Sequence, residues 1–155
     1  MKIAFIGGGV MAEAIISRSI DLEWLRGVNI CVAEPIAERR LTLVNRYGVT
    51  AVQDNPDAVE GVDLVILAIK PQHLSGVLAE LNGKLSSGQT VISIVAGATL
   101  ATLSTSLGHR NIVRVMPNTP ARVGKGVSVW TSTKEVGTDR RQLISGMLST
   151  LGSEV

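Results

Sequence analysis

The chain is 155 residues long, 45% apolar and 18% charged, the composition of a folded domain with room for one core, which excludes disorder. Fifteen Lys and Arg against thirteen Asp and Glu leave a formal charge of +2, and 3% of the residues are aromatic, so there is neither a basic nucleic-acid footprint nor a stacking platform. A mean hydropathy of +0.31 raises the question of a membrane span, but the longest strictly apolar stretch, Leu64 to Ile69, covers six residues, and the longer uncharged run Leu85 to Gly108 is broken by Ser, Thr, Gln and Gly.

Met1-Lys2, an apolar stretch and Ala12-Glu13-Ala14 imitate a signal peptide, but three glycines interrupt the apolar helix that such a peptide needs. The same residues read better as strand, turn and helix. From there apolar runs alternate with helix-period segments, the pattern of a Rossmann-type α/β fold: a doubly wound, mostly parallel sheet with helices on both faces. Seven strands are expected, at Lys2 to Ile6, Val28 to Ala33, Val49 to Val52, Asp63 to Ile69, Thr90 to Val95, Asn111 to Met116 and Gly126 to Thr131.

Between the strands, Pro35 to Arg46 and Thr99 to Leu107 read as helices stopped by Gly48 and Gly108. Pro56 begins a brief helix for which Asn55 is a candidate cap. Leu74, Val77, Leu78 and Leu81 fall on one helical face, with Pro71 suited to the first turn. Leu143, Ile144, Met147, Leu148 and Leu151 form a second stripe, with Thr138 or Asp139 as N-cap and Gly152 as stop. Residues 1–155 read as one domain, and the alternating pattern would begin another strand at Ser153, so the chain is expected to continue beyond Val155. The single cysteine, Cys31, excludes an internal disulfide and fits a reducing, cytoplasmic setting.

The strongest chemical signal is Ile3 to Ala12, an apolar strand running into Gly7-Gly8-Gly9-Val10-Met11-Ala12, a G-x-G-x-x-A turn that opens a helix. Gly7 allows a sharp turn, Gly9 has no Cβ to obstruct a pyrophosphate, and Ala12 lets the helix approach the strand. The helix N-terminus adds unpaired N–H groups and a partial positive charge. Glu34 follows the second strand, where a carboxylate can bond the adenosine ribose hydroxyls; that favours NAD and repels the 2′-phosphate of NADP unless Arg39 or Arg40 compensates.

In an open parallel sheet the ligand lies beyond the carboxyl ends of the strands. Lys70 sits in front of a helix N-terminus, where the dipole disfavours a cation by about 0.3 to 1 kcal/mol, so an anionic ligand or solvent must explain it. Ala96-Gly97-Ala98 offers small residues at the next strand end, and Pro117-Asn118-Thr119-Pro120 forms a stiff loop with two polar side chains at the ligand edge. Asn55 lies at the adenosine side or serves only as a cap. His73 and His109 have no ligands at metal spacing, and no G-x-S-x-G nucleophile elbow is present.

Four segments carry a resemblance: Phe5 to Ala12, Leu67-Ala68-Ile69-Lys70-Pro71, Ser93-Ile94-Val95-Ala96-Gly97 and Arg114-Val115-Met116-Pro117-Asn118-Thr119-Pro120. In this order, and along its whole length, the chain resembles the N-terminal domain of pyrroline-5-carboxylate reductase. The resemblance implies reduction of 1-pyrroline-5-carboxylate to L-proline by NADPH or NADH. It also implies a second, helical domain beyond Val155 that dimerises and supplies most of the imino-acid pocket, leaving this chain inactive alone.

Carried over by position, Ile6, Gly7, Gly8, Gly9, Val10 and Met11 would hold the pyrophosphate, and Glu34 and Asn55 the adenosine side. Ala68, Ile69, Lys70, Pro71, Val95, Ala96 and Gly97 would line the central and nicotinamide side, with Met116, Pro117, Asn118 and Thr119 bordering the nicotinamide. Lys70 and Asn118 are the substrate-facing candidates, and no catalytic acid is evident. Glu34-Pro35 departs from the Ser, Asn or Arg common at this place in the family, which leaves the choice between NADPH and NADH open. The competing readings are a hydroxyacid-type dehydrogenase sharing the glycine turn and a non-catalytic NAD(P)-sensing module.

Overall fold

The computed structural model describes residues 1–118 and 124–155. Its strands are β1 (Ile3–Ile6), β2 (Ile30–Ala33), β3 (Thr50–Val52), β4 (Leu64–Leu67), β5 (Thr90–Ser93), β6 (Ile112–Met116), β7 (Gly126–Ser132) and β8 (Gly152–Glu154). They form one sheet in the order β3-β2-β1-β4-β5-β6-β7-β8. The first six are parallel, β7 runs antiparallel to β6, and β8 runs parallel to β7. The helices are α1 (Val10–Asp21), α2 (Ala37–Tyr47), α3 (Asn55–Val59), α4 (Leu74–Leu81), α5 (Leu100–Leu107) and α6 (Thr138–Ser149).

Both faces of the central strands are covered, which is why their sequences run apolar without alternating. Ile3 and Phe5 of β1 pack with Ile15 and Ile16 of α1, Leu43 of α2, and Ile144, Met147 and Leu148 of α6. Ala4 and Ile6 face the other way, toward Val59 of α3, Val77, Leu78 and Leu81 of α4, and Leu103 and Leu107 of α5. Each fully buried Leu, Ile or Phe contributes about 1.5–3 kcal/mol.

The expected doubly wound, mostly parallel architecture is present, with differences at the edges. The count of seven strands is one short, because Gly152–Glu154 pairs with Gly126–Ser128. A polar Gly-Ser-Glu segment has no strand pattern; it pairs because Gly152 adopts φ +134 and a Cβ there would lie 2.1 Å from the Gly126 carbonyl oxygen. Nine residues separate β6 from β7, fewer than a parallel crossover requires, so β7 turns back.

Several boundaries also shift. Gly27–Asn29 form a 3₁₀ turn ahead of β2, and Pro71–His73 form another ahead of α4. The N-cap of α6 is Gly137 rather than Thr138 or Asp139, and Leu151 lies past the helix although still buried. Asp54 precedes α3 and Asn55 is its first residue, so Asn55 is not the cap; its amide donates to Glu80 Oε2 at 2.7 Å. Thr99 does cap α5, accepting from the Thr102 N–H, and Gly48 and Gly108 end their helices in the left-handed region. Strands β4 and β5 stop two residues early, at Leu67 and Ser93, leaving Ala68-Ile69 and Ile94-Val95 at the sheet edge.

Candidate dinucleotide-binding site

The register places the strand ends level. Ile6 is opposite both Ala33 and Leu67, and Leu67 is opposite Ser93. Gly7, Ala68 and Ile94 each donate one further N–H to a neighbouring strand, to the carbonyls of Ala33, Ile6 and Leu67. The carboxyl edge therefore runs from Asn55 after β3, through Glu34, the glycine turn and Ala68–Pro71, to Val95–Gly97 and Met116–Asn118. Six strands at about 4.8 Å spacing make this edge about 24 Å long. Successive connections leave β1 toward β2 on one side and enter β4 on the other, so the turn after β1 lies at the switch point where such sheets bind ligands.

The three glycines of the turn differ in what surrounds them. Gly7 has φ +96, and a Cβ on it would lie 2.6 Å from the Ala68 carbonyl oxygen. At Gly8 a Cβ would meet Leu43 Cδ1 at 2.7 Å and Glu34 Oε2 at 3.2 Å. At Gly9, the residue before α1, a Cβ would meet nothing within 4 Å. Gly7 and Gly8 thus serve internal packing, whereas Gly9 opens to the space in front of the helix N-terminus. A diphosphate fits there, against N–H groups at the positive end of the helix dipole. Val10 is 61% exposed at the same place, while Ala12 is fully buried against the sheet.

Glu34 is held more tightly than its sequence position conveys. It is 8% exposed, with Oε2 accepting the Gly8 N–H at 2.9 Å and Oε1 accepting the Ile36 N–H at 3.2 Å. Both arginines bond backbone carbonyls around Glu34, Arg39 in the glycine turn and Arg40 just after β2. Arg39 donates from Nε to the Gly8 carbonyl at 2.7 Å, and Arg40 donates to the carbonyls of Glu34 and Pro35 at 2.7 and 2.9 Å.

Sequence reasoning missed Glu13 and Tyr47. Glu13, in the first turn of α1, pairs with Arg39, accepts from Arg46 at 2.9 Å and accepts the Tyr47 hydroxyl at 2.7 Å. Burial pushes the Glu13 carboxyl up, but the bonds from Tyr47 and Arg39 and the two arginine charges outweigh it and hold the group below the usual carboxylate range. Burial and Glu13 together push the Tyr47 phenol up. An acidic residue four positions past the last glycine is a visible signal, but its partners depend on how α1 and α2 dock.

Toward the other end of the edge, Lys70 and Pro71 are exposed at the start of the 3₁₀ turn, and Ala96 and Gly97 are exposed after β5, with Gly97 at φ +78. Met116 is exposed at the end of β6, and Asn118 Oδ1 accepts the Val127 N–H at 2.9 Å, tying its loop to β7. Thr119 lies outside the described residues. His109 has a structural partner, its Nε2 lying 2.7 Å from the Gln89 carbonyl. Among the described residues no group of three His, Cys, Asp or Glu could hold a metal, and no helix is long and apolar enough to cross a membrane.

A doubly wound sheet with a glycine turn and helix N-terminus at its switch point defines a nucleotide-binding domain of the oxidoreductase type. Residues 2–97 match the family described as NADP oxidoreductase, coenzyme F420-dependent, and the chain belongs to that family. It is 38% identical over 155 residues to a pyrroline-5-carboxylate reductase of Synechocystis, covering all of this chain and 58% of that protein. A pyrroline-5-carboxylate reductase structure from Coxiella burnetii superposes with a TM-score of 0.94 at 32% identity, over 99% of this chain and 57% of that one. A pyrroline carboxylate reductase from Plasmodium falciparum with NADP bound superposes with a TM-score of 0.87 at 25% identity, over 100% of this chain and 56% of that one. The chain thus spans little more than half the length of these relatives.

Proposed function

We propose that this chain is the cofactor-binding part of a pyrroline-5-carboxylate reductase, taking NADPH or NADH at the strand-end edge to reduce 1-pyrroline-5-carboxylate to L-proline. The observation that carries this reading is the match of the whole chain, at a TM-score of 0.94, to a reductase of that name. A hydroxyacid-type dehydrogenase or a sensing module has no comparable support. The open face of Gly9 at the α1 N-terminus fits a dinucleotide diphosphate, and Glu34 and Asn55 stand on the adenosine side.

The bound cofactor supplies hydride for the C=N carbon. The residues of this chain bind and orient: the Gly7–Met11 turn receives the diphosphate, and Ala68–Pro71, Val95–Gly97 and Met116–Asn118 form the nicotinamide side, bringing it to the imine. Lys70, exposed at the edge, attracts the substrate carboxylate. A second, helical domain following this one forms the rest of the imino-acid pocket and the homodimer contact, in a cytoplasmic enzyme.

The test is 1-pyrroline-5-carboxylate-dependent oxidation of NADPH and NADH. The 155-residue chain alone is expected to bind cofactor without turnover, and the protein extended through its following domain to be active. An extended protein that binds cofactor and leaves 1-pyrroline-5-carboxylate unreduced would refute the assignment.

A further inference from the structure

Resting on the nucleotide-binding reading, we propose that Glu13 and Arg39 are positioning residues that set the direction of the Gly9 N–H in the phosphate turn. Gly8 is gripped on both of its peptide groups: its N–H by Glu34 Oε2 at 2.9 Å and its carbonyl by Arg39 Nε at 2.7 Å. The Gly8 carbonyl and the Gly9 N–H belong to one planar trans peptide and point in opposite directions. With the carbonyl held on the α2 side, the Gly9 N–H is turned away from α2. Gly9 is exposed and flanked by open space, and its N–H has no protein acceptor among the described residues.

Arg39 can do this because its guanidinium is a planar fork that serves two acceptors at once, the Gly8 carbonyl and the Glu13 carboxylate. Glu13 fixes the fork from the other side. It is itself anchored on α1, the helix that the turn opens, with Arg46 and Tyr47 on its second oxygen. The side chains of Arg39 and Glu13 are 28% and 19% exposed, so the pair is shielded enough to hold one geometry. Without this clamp a glycine peptide rotates readily, because no Cβ restricts it.

The test is to measure dissociation constants of this chain for NADPH and NADH by nicotinamide fluorescence and for ADP-ribose by calorimetry. Arg39→Gln is expected to weaken all three by a similar factor of about ten, the worth of one charge-assisted hydrogen bond. Arg39→Lys keeps the cation but cannot bridge both acceptors, and is expected to behave like Arg39→Gln. Glu13→Gln is expected to move all three ligands in the same direction by a smaller factor. Thr42→Ala, on the same helix α2 but with its hydroxyl donating only to the Glu38 carbonyl, is expected to leave binding unchanged and serves as the control for altered helix packing.

Restored binding in Arg39→Lys would overturn the proposal, since charge alone would then suffice. A loss confined to NADPH would overturn it too, by making Arg39 a receptor for the 2′-phosphate, as would unchanged affinity for every ligand. If Arg39→Gln fails to fold, the double-mutant coupling between Glu13→Gln and Arg39→Lys on the ADP-ribose constant decides, with zero coupling overturning the clamp. A parent chain that binds none of the ligands would refute the nucleotide-binding reading itself, an outcome distinct from these.

Discussion

The carboxylate of Glu34 accepts the N–H of Gly8, 26 residues earlier in the chain, so the end of β2 is bonded directly to the phosphate turn after β1. A carboxylate at this place is usually considered only for its contact with ribose; here both oxygens also hold backbone N–H groups. Glu34→Ser removes the negative charge together with the acceptor for Gly8. The ratio of NADH to NADPH dissociation constants should shift toward NADPH, while thermal stability falls by about 1–3 kcal/mol from the orphaned N–H. Fluorescence titration reads the first effect, and an unchanged ratio would take Glu34 away from the ribose.

Three alanine substitutions in the turn should part company. Gly7→Ala places a Cβ 2.6 Å from a backbone oxygen in a positive-φ residue, and should destabilise most severely. Gly8→Ala pushes against the end of the buried Leu43 side chain, which can give slightly, and should cost about 1–3 kcal/mol. Gly9→Ala meets no protein atom, so its melting temperature should stay close to that of the parent while dinucleotide affinity drops. If Gly9→Ala binds NADPH as well as the parent, the diphosphate does not lie against that residue.

Acid should weaken the α1–α2 contact through Glu13. Its folded-state pKa is lowered, so its contribution is complete above the unfolded carboxylate value, about 4.3, and disappears as pH falls through the folded value. Tyr47 acts at the other limb: its raised pKa means that stability declines once pH rises past the unfolded phenol value, about 10. Urea unfolding across pH should show Glu13→Gln less acid-sensitive than the parent and about 1–2 kcal/mol less stable near neutrality. Parallel acid limbs for the two proteins would show that Glu13 does not carry the effect.

Gly152→Ala tests β8, the strand that the alternating pattern would begin at Ser153 and that forms from Gly152. Its Cβ would fall 2.1 Å from the Gly126 oxygen and 2.6 Å from the Gly126 nitrogen, both backbone atoms. Strand β8 must then part from β7, exposing Trp130, whose indole N–H donates to Glu154. A red-shifted tryptophan emission and loss of hydrogen-exchange protection at Gly126 and Val155 are expected, since both N–H groups bond across this seam. Native-like emission and protection would mean that β8 is dispensable.

Lys70 stands exposed at the carboxyl edge of the sheet, just ahead of the Pro71–His73 turn. In the proposed reductase, carrying the further domain proposed above, Lys70→Ala should raise the KM for the imino acid several-fold with little change in kcat, because an exposed cation attracts a carboxylate without touching the reacting atoms. Steady-state kinetics with an unchanged KM would remove that role.

The sheet and its glycine turn were legible because long-range burial wrote itself locally. Runs such as Leu64–Leu67 are apolar at every position when both faces are covered, and Gly7 and Ala12 mark sites where backbones approach closely. What could not be read depends on docking between elements. The Glu13–Arg39 pair exists only once α1 and α2 lie side by side, Asn55 meets Glu80 only across α3 and α4, and Asn118 ties to Val127 only after the chain reverses. The alternation of elements places a strand at Ser153, but its start at Gly152 and its pairing with β7 were hidden, because a three-residue polar strand has no periodicity and one glycine's close packing permits it.

The grip on Gly8 also reaches outside the segment that carries the glycine motif. Its N–H acceptor comes from the residue after β2 and its carbonyl donor from α2, so a peptide ending at Ala33 would carry all three glycines, the helix they open and the Gly7–Ala33 bond, but neither grip on Gly8. The bonds that shape this turn therefore extend one helix past the strand–helix–strand unit in which the motif is written, and a fragment cut at Ala33 should hold it less firmly than one continued through α2.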